Sequence, residues 1–279
     1  MHSSNNTHAI LKALGFVLLT ILMIAVSFIL RVFKVGPARR ARINQKIIRM
    51  MASSCAIEII LDHSLSWPPE YDKTTLYLSN HLSYLDVVVL GACFPCNFLA
   101  KKEVAQWPLV GWCARATGCE FVAREFLQGR VSALLRIRNR LKTENMCIFP
   151  EGSTTAEVTP SKNLWRRGQI WSAFPPRTQI MCVGLCYEDQ DKLAWIDDME
   201  FVPHLWSVFK RQKTRVFVSA SRLAASAQDC ANISLLANRA YESVSSLCEH
   251  SHAMRVQHVE RRVSPPSFAS EGVHSCSHT

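Results

Sequence analysis

Leu78-Ser-Asn-His-Leu-Ser-Tyr-Leu-Asp86 ends an apolar run on Asn80-His81 and sets an aspartate five residues after the histidine. Residues 74–79, TTLYLS, read as a buried strand, and Ser83-Tyr-Leu-Asp86 matches the S-x-x-D/E box that opens a helix. A strand running through a short loop into a helix is the repeating unit of an α/β sheet. On one continuous helix His81 and Asp86 would lie about 140° apart around the axis. They meet only if the histidine sits on the loop and the aspartate in the first helical turn. Two readings then stand side by side. Asp86 closes the capping box, or it bonds a ring nitrogen of His81, fixing the tautomer while the other nitrogen takes a proton from an alcohol.

The alternation continues along the chain. Residues 96–100 (CNFLA), 119–123 (CEFVA), 146–149 (MCIF), 180–187 (IMCVGLCY) and 215–219 (RVFVS) read as strands. Between them, 126–142 reads as a helix with Val131, Leu134, Leu135 and Leu141 opposite Arg130, Arg136, Arg138 and Arg140. Residues 228–247 read as another, with Ile233, Leu236, Ala240, Val244 and Leu247 on one face. The expected fold is therefore α/β, a mixed, mostly parallel sheet flanked by helices, over residues 67–249. Residues 250–279, rich in Ser and His and containing Pro265-Pro266, read as a disordered tail.

The first 66 residues have a different character. ALGFVLLTILMIAVSFIL, residues 13–30, is uncharged and long enough to cross a bilayer or lie within one leaflet. Arg31, Lys34, Arg39, Arg40, Arg42 and Lys46 follow it, while Lys12 alone precedes it. That asymmetry puts the C-terminal domain on the cytoplasmic face of a membrane, with the basic cluster against an anionic surface. A cleaved signal peptide would leave through small residues, whereas this run leaves through Phe28-Ile-Leu-Arg-Val-Phe. Residues 41–61 read as a basic amphipathic helix, lying at the interface or packed on the core, and Pro68-Pro69 ends the region. The formal net charge of +10 attracts phosphate in nucleic acid, bilayer or small substrate. No zinc finger or aromatic-basic RNA motif accompanies it, and the basic residues cluster beside the anchor, so nucleic acid is not an expected partner. The 11 cysteines, odd in number and scattered, read as buried free thiols; Cys93-x-x-Cys96 and Cys182…Cys186 have no neighbouring histidine, and no metal site is expected.

Three further stretches carry chemistry. Cys147-Ile-Phe-Pro-Glu-Gly-Ser-Thr-Thr155 ends a strand on a turn with Glu151, Gly152 and Ser153, a position where α/β sheets hold ligands. Gly118-Cys-Glu-Phe-Val-Ala-Arg124 brings an arginine, suited to phosphate, to another strand end. Lys101-Lys102-Glu103 and Trp165-Arg166-Arg167-Gly168 are more often solvated clusters when met alone.

In this order the blocks resemble the glycerolipid acyltransferase family marked by H-x-x-x-x-D, whose reference member is 1-acyl-sn-glycerol-3-phosphate acyltransferase. The resemblance covers about half the chain, Leu76 to Ser219: Asn80-His81-x-x-x-x-Asp86, then G-x-x-F-[IV]-x-R as Gly118 to Arg124, then F-P-E-G-[ST] as Phe149 to Ser153. Residues 165–168 supply an F-K-x-G-like element. Many members continue F-P-E-G-T-R; Ser153-Thr154 is closer to a subgroup with F-P-E-G-T-T that includes bacterial lyso-ornithine-lipid acyltransferases. The fourth block, Ile180 to Leu185, lacks the family's proline. The resemblance implies a glycerol-3-phosphate acyltransferase-like fold and transfer of a fatty acyl group from acyl-CoA or acyl-carrier protein to a lysolipid hydroxyl, with no cofactor. 1-Acyl-sn-glycerol-3-phosphate is the expected acceptor, with lyso-ornithine lipid, another lysolipid, or a non-catalytic lipid-binding role on the same fold as alternatives. His81 and Asp86 would be catalytic; Glu151, Gly152 and Ser153 would hold the acceptor, and Arg124, Lys101 and Lys102 its phosphate.

Overall fold

The computed structural model describes residues 2–62, 74–166, 168, 178–196, 198–224 and 232–263, with side chains from residue 6 onward. Pro68-Pro69 and Arg167 lie outside the described residues. Among the described residues, seven strands form one sheet: β1 (Ile57–Leu61), β2 (Thr75–Ser79), β3 (Asn97–Lys101), β4 (Glu120–Val122), β5 (Met146–Ile148), β6 (Gln179–Tyr187) and β7 (Thr214–Arg222). Their order is β1-β7-β6-β2-β5-β3-β4, and every adjacent pair is parallel except β6 with β7. The fold is the mixed, mostly parallel α/β sheet read from the sequence.

β2 lies at the centre, and Leu76, Tyr77 and Leu78 are fully buried. A strand covered on both faces needs apolar residues at every position, which is why TTLYLS shows no alternation of polar and apolar. Its neighbours β5 and β6 run parallel to it, so the loops after β2 and β5 and the end of β6 open at one edge of the sheet. β3 and β4 continue in the same direction and bring Lys101 and the segment up to Arg124 to that edge.

Helices cover both faces: α1 (His2–Val32), α2 (Pro37–Ser54), α3 (Leu85–Cys93), α4 (Val110–Thr117), α5 (Leu127–Arg140), α6 (Gln190–Leu193), α7 (Phe201–Lys210) and α8 (Ile233–Val263). A short 3₁₀ helix, Lys102–Gln106, follows β3. β6 approaches α8 closely at Gly184, where a Cβ would lie 2.3 Å from the Leu247 carbonyl carbon. On the opposite face, α2 closes the end of α3. Gln45 Nε2 donates to the carbonyls of Ala92 and Cys93 at 3.1 and 2.8 Å, and Arg49 Nε to Ala92 at 2.8 Å. These are last-turn carbonyls without a partner inside their own helix.

Four expectations change. The helix expected over 41–61 stops at Ser54, the chain turns through Ala56 at φ +56°, and Ile57–Leu61 becomes an edge strand on β7. A boundary at residue 66 therefore cuts through the sheet, and α1 packs on α2, α4 and α7. Residues 250–263 are helical, as the end of α8, because Ser251 is buried and bonds Gly184 O and Ser219 Oγ at 3.0 and 2.8 Å. The rest of the expected tail lies outside the described residues. On α5 the buried positions are Ala133 and Ile137, continued by Leu141, while Val131 and Leu135 are exposed. Ile137 and Leu141 pack into the core with Leu76, Leu78 and Met146, while Arg136 and Arg140 reach Glu120 on β4 at 2.8 and 3.2 Å.

Candidate active site

β2 ends at Ser79, and Asn80 fixes the loop beyond it by reading the neighbouring strand. Its side chain donates to Leu185 O at 3.0 Å and accepts from Leu185 N–H at 2.9 Å, as a strand residue would. His81 then lies on the loop and Asp86 in the first turn of α3, and the two side chains meet, His81 Nδ1 to Asp86 Oδ2, at 2.8 Å. Asp86 is fully buried. A buried carboxylate is tolerated when donors surround it. Here Oδ2 also accepts the backbone N–H groups of Leu82 and Ser83 at 2.7 and 2.9 Å, and Oδ1 accepts the Tyr187 hydroxyl at 2.7 Å. Burial, then the charge of Asp86, pushes the Tyr187 phenol well above its ordinary range, so it keeps its proton and donates.

The dyad reading and the capping reading are both partly realised. Asp86 reaches back to Ser83 N–H as a capping-box acid does, but the reciprocal bond is missing: Ser83 Oγ is buried without a partner, and Tyr84 is the cap residue. With Nδ1–H committed to Asp86, Nε2 of His81 is the basic nitrogen. The ring stacks on Phe149, centroids 3.9 Å apart and planes 10° apart, which holds it in the cavity wall.

Glu151 is brought beside the dyad, yet it does not face the cavity as an acceptor contact would. It is 1% exposed. Oε1 accepts Ser161 N–H at 2.9 Å and Oε2 accepts His81 N–H at 3.4 Å, so it staples the loop after β5 to the His81 loop and to residue 161. Burial raises its pKa, against those hydrogen bonds and the charge of His81. Gly152, at φ +76°, turns the chain beneath Arg166, and a Cβ there would lie 2.9 Å from Arg166 Nε. That φ is open to glycine at little cost. Ser153 is exposed in the cavity wall, Thr154 Oγ1 donates to Trp195 O, and Thr155 N–H donates to His81 O at 2.9 Å.

The cavity encloses about 1070 Å³. One part is cationic, with Lys101, Arg124 and Arg166 in its wall; Lys102 is exposed and lies outside it. Lys101 lies 3.8 Å from Glu103, while Arg124 and Arg166 make no ion pair among the described residues. The other part is apolar and runs under α1 and α2, past Phe16, Met23, Ile48 and Met51. Cys93, Cys96, Cys182 and Cys186 are buried, and burial raises each thiol's pKa.

Sequence reasoning missed Tyr187, whose signal was faint: a phenol on the last residue of a strand buried at every position. Arg166 was visible in its basic cluster, but nothing local places it over Gly152. That follows from Arg166 N–H donating to Pro150 O at 3.0 Å.

The acyltransferase family profile matches residues 62–181. The chain is 33% identical to the lyso-ornithine lipid O-acyltransferase of Rhodobacter capsulatus over 139 residues, 47% of this chain and 50% of that one. It is 26% identical to the 1-acyl-sn-glycerol-3-phosphate acyltransferase of Neisseria gonorrhoeae over 123 residues, 44% of this chain and 48% of the relative. The chain thus spans about half the length of the curated relatives it matches. The crystal structure of the 1-acyl-sn-glycerophosphate acyltransferase of Thermotoga maritima aligns over 89% of this chain and 98% of its own, at 14% identity and TM-score 0.44. The matched stretch is the one that carries His81, Asp86, Arg124 and Glu151, and over residues 62–181 the chain is similar to the acyltransferase family.

Proposed function

We propose that the chain transfers a fatty acyl group from a thioester, acyl-CoA or acyl-carrier protein, to the free hydroxyl of a lysolipid. The observation that carries this is the His81–Asp86 bond at 2.8 Å, which leaves a basic nitrogen on a ring in the wall of the cavity. His81 Nε2 takes the proton of the acceptor hydroxyl as the oxygen attacks the thioester carbonyl. Asp86 holds the ring and stabilises the imidazolium; the thiolate leaves as the tetrahedral intermediate collapses, and the imidazolium can return the proton to it. The N–H groups of Ser153 and Thr154 carry no hydrogen bond among the described residues and are suited to the oxyanion. No metal, cofactor or acyl-enzyme enters these steps.

The two arms of the cavity fit the two ends of such substrates. The apolar arm under α1 and α2 is suited to an acyl chain. Arg124 and Arg166, with Lys101, are suited to an anion on the acceptor, the phosphate of 1-acyl-sn-glycerol-3-phosphate or the carboxylate of a lyso-ornithine lipid. Relatives are named for each of these two acceptors.

The membrane reading also has support. α1 is one helix long and apolar enough to cross a membrane, yet it lies along the domain. Ala9, Thr20, Met23 and Ser27 are buried against the fold, whereas Leu11, Leu14, Leu18, Phe28 and Val32 are more than half exposed. Lys12 Nζ donates to Arg211 O at 2.5 Å at the end of α7. A helix docked on one side and bare on the other suits burial in one leaflet, with Arg31, Lys34 and Arg39–Arg42 at the cytoplasmic headgroups.

The test is a matrix. Purified chain is offered lysophosphatidate and lyso-ornithine lipid, each with labelled acyl-CoA and with labelled acyl-carrier protein. A diacyl product in one or more combinations is expected, and it identifies donor and acceptor; no product in any combination contradicts the reading.

A further inference from the structure

Four aromatic side chains from four separate segments meet at the cavity beside His81. Tyr84 follows the dyad loop, Trp107 follows the 3₁₀ helix, Trp195 follows α6 and Phe201 opens α7. Each touches two others, and the contacts close into a ring. Tyr84 to Trp195 is 5.7 Å between centroids, Trp195 to Trp107 5.8 Å, Trp107 to Phe201 4.8 Å, and Phe201 to Tyr84 4.8 Å. Three of the four contacts are T-shaped, with planes 76°, 88° and 69° apart, and the Trp107–Phe201 contact is tilted at 42°.

The four are half-buried and line the cavity, whereas the fully buried large aromatics are Tyr77, Phe94, Tyr187 and Phe217. Tyr84 also packs against the main core, and so anchors the group to it. The walls of this aromatic box are further held in place. Tyr84 OH bonds His204 Nδ1 at 2.9 Å, Trp195 Nε1–H donates to Met199 O at 3.0 Å, and Trp195 N–H donates to Leu82 O at 2.9 Å. Thr154 Oγ1 on the Trp195 carbonyl ties the box to the turn after Glu151. Burial lowers the His204 pKa, against hydrogen bonds to the Lys192 and Ala194 backbone that raise it.

The face of an aromatic ring carries the negative part of its quadrupole, and several faces around one concavity attract a cation, quaternary ammonium above all. The same cavity holds Arg124 and Arg166 for an anion. We propose that Tyr84, Trp107, Trp195 and Phe201 bind the ammonium group of the acceptor headgroup, so that the preferred acceptor is a zwitterionic lysolipid rather than lysophosphatidate. This rests on the acyl-transfer reading and narrows it. A primary ammonium, as in an ornithine headgroup, and a quaternary one, as in choline, share this chemistry, and the experiment separates them.

The full chain in lipid nanodiscs is assayed with lyso-ornithine lipid, lysophosphatidylcholine and lysophosphatidate, using the donor that supports turnover. Phe201→Leu keeps apolar volume and removes one ring face; Trp107→Ala removes a wall; Trp107→Phe restores a smaller one. The ratio of kcat/KM for the better zwitterionic acceptor to that for lysophosphatidate is expected to fall about tenfold in the first two variants and to recover most of that loss in Trp107→Phe. Preference for the choline acceptor assigns the box to quaternary ammonium, and preference for the ornithine lipid to a primary amine. A ratio unchanged in both Phe201→Leu and Trp107→Ala, or a wild-type preference for lysophosphatidate, overturns the proposal while leaving acyl transfer intact. Absence of turnover with every acceptor contradicts the parent reading instead. The box is then decided by tetramethylammonium titration of tryptophan fluorescence. Saturable quenching that is lost in Trp107→Ala supports it, and no saturable quenching overturns it.

Discussion

Tyr187 carries the most informative single atom outside the dyad. Its hydroxyl donates to a fully buried carboxylate, and a hydrogen bond to a charged group contributes about 1.5–3 kcal/mol. Tyr187→Phe should therefore lower kcat at least about tenfold with little change in KM. A kcat at the wild-type level in the folded variant argues against the positioning role. Glu151 makes a separate prediction through linkage. Its folded pKa lies above its unfolded value, so its contribution to stability is fully present below about pH 4.3 and is lost as pH rises through the folded value. The margin in thermal midpoint of wild type over Glu151→Gln should accordingly shrink as pH rises from about 4. A constant margin would mean Glu151 titrates normally. The contact between His81 and Asp86 was legible from spacing and residue chemistry. The buried role of Glu151 was not, because its partners are main-chain groups of residues 81 and 161, far apart in sequence.

At the scale of elements, short apolar runs bounded by turns identified six of the seven strands, while β1 was hidden. Residues 57–61 continue the apolar spacing of α2, and the break is made by the positive φ of Ala56, a position that sequence does not mark as it would with glycine. The helix α5 was right and its face only partly so: Leu141 is buried as expected, but Ala133 and Ile137 take the core side in place of Val131 and Leu135. β6 and α8 supply the prediction that belongs here. Gly184 sits where a Cβ would overlap the Leu247–Cys248 backbone, which cannot retreat without moving α8 off the sheet. Gly184→Ala should cost about 1–3 kcal/mol, read as a lowered thermal midpoint of the purified chain. An unchanged midpoint would show that the contact is looser than 2.3 Å implies.

For the whole molecule, the hydrophobic N-terminus was legible, but its docking was not, because helical periodicity cannot say which neighbour covers a face. If α1 lies in one leaflet, a thiol label placed ahead of His2 will react from the same side of a sealed vesicle as labels on the domain; reaction from opposite sides would mean that α1 spans. Leu18→Glu with Phe28→Glu should lower partition into anionic vesicles more than about tenfold, since each adds a charge to a face read as facing lipid. Both outcomes concern where the chemistry happens. Whether it happens by the dyad is decided by acyl transfer in His81→Ala, assayed in nanodiscs with the thermal midpoint measured on the same sample. Transfer should fall by at least about a thousandfold with a midpoint near that of wild type; turnover near the wild-type rate in a folded variant would contradict the account.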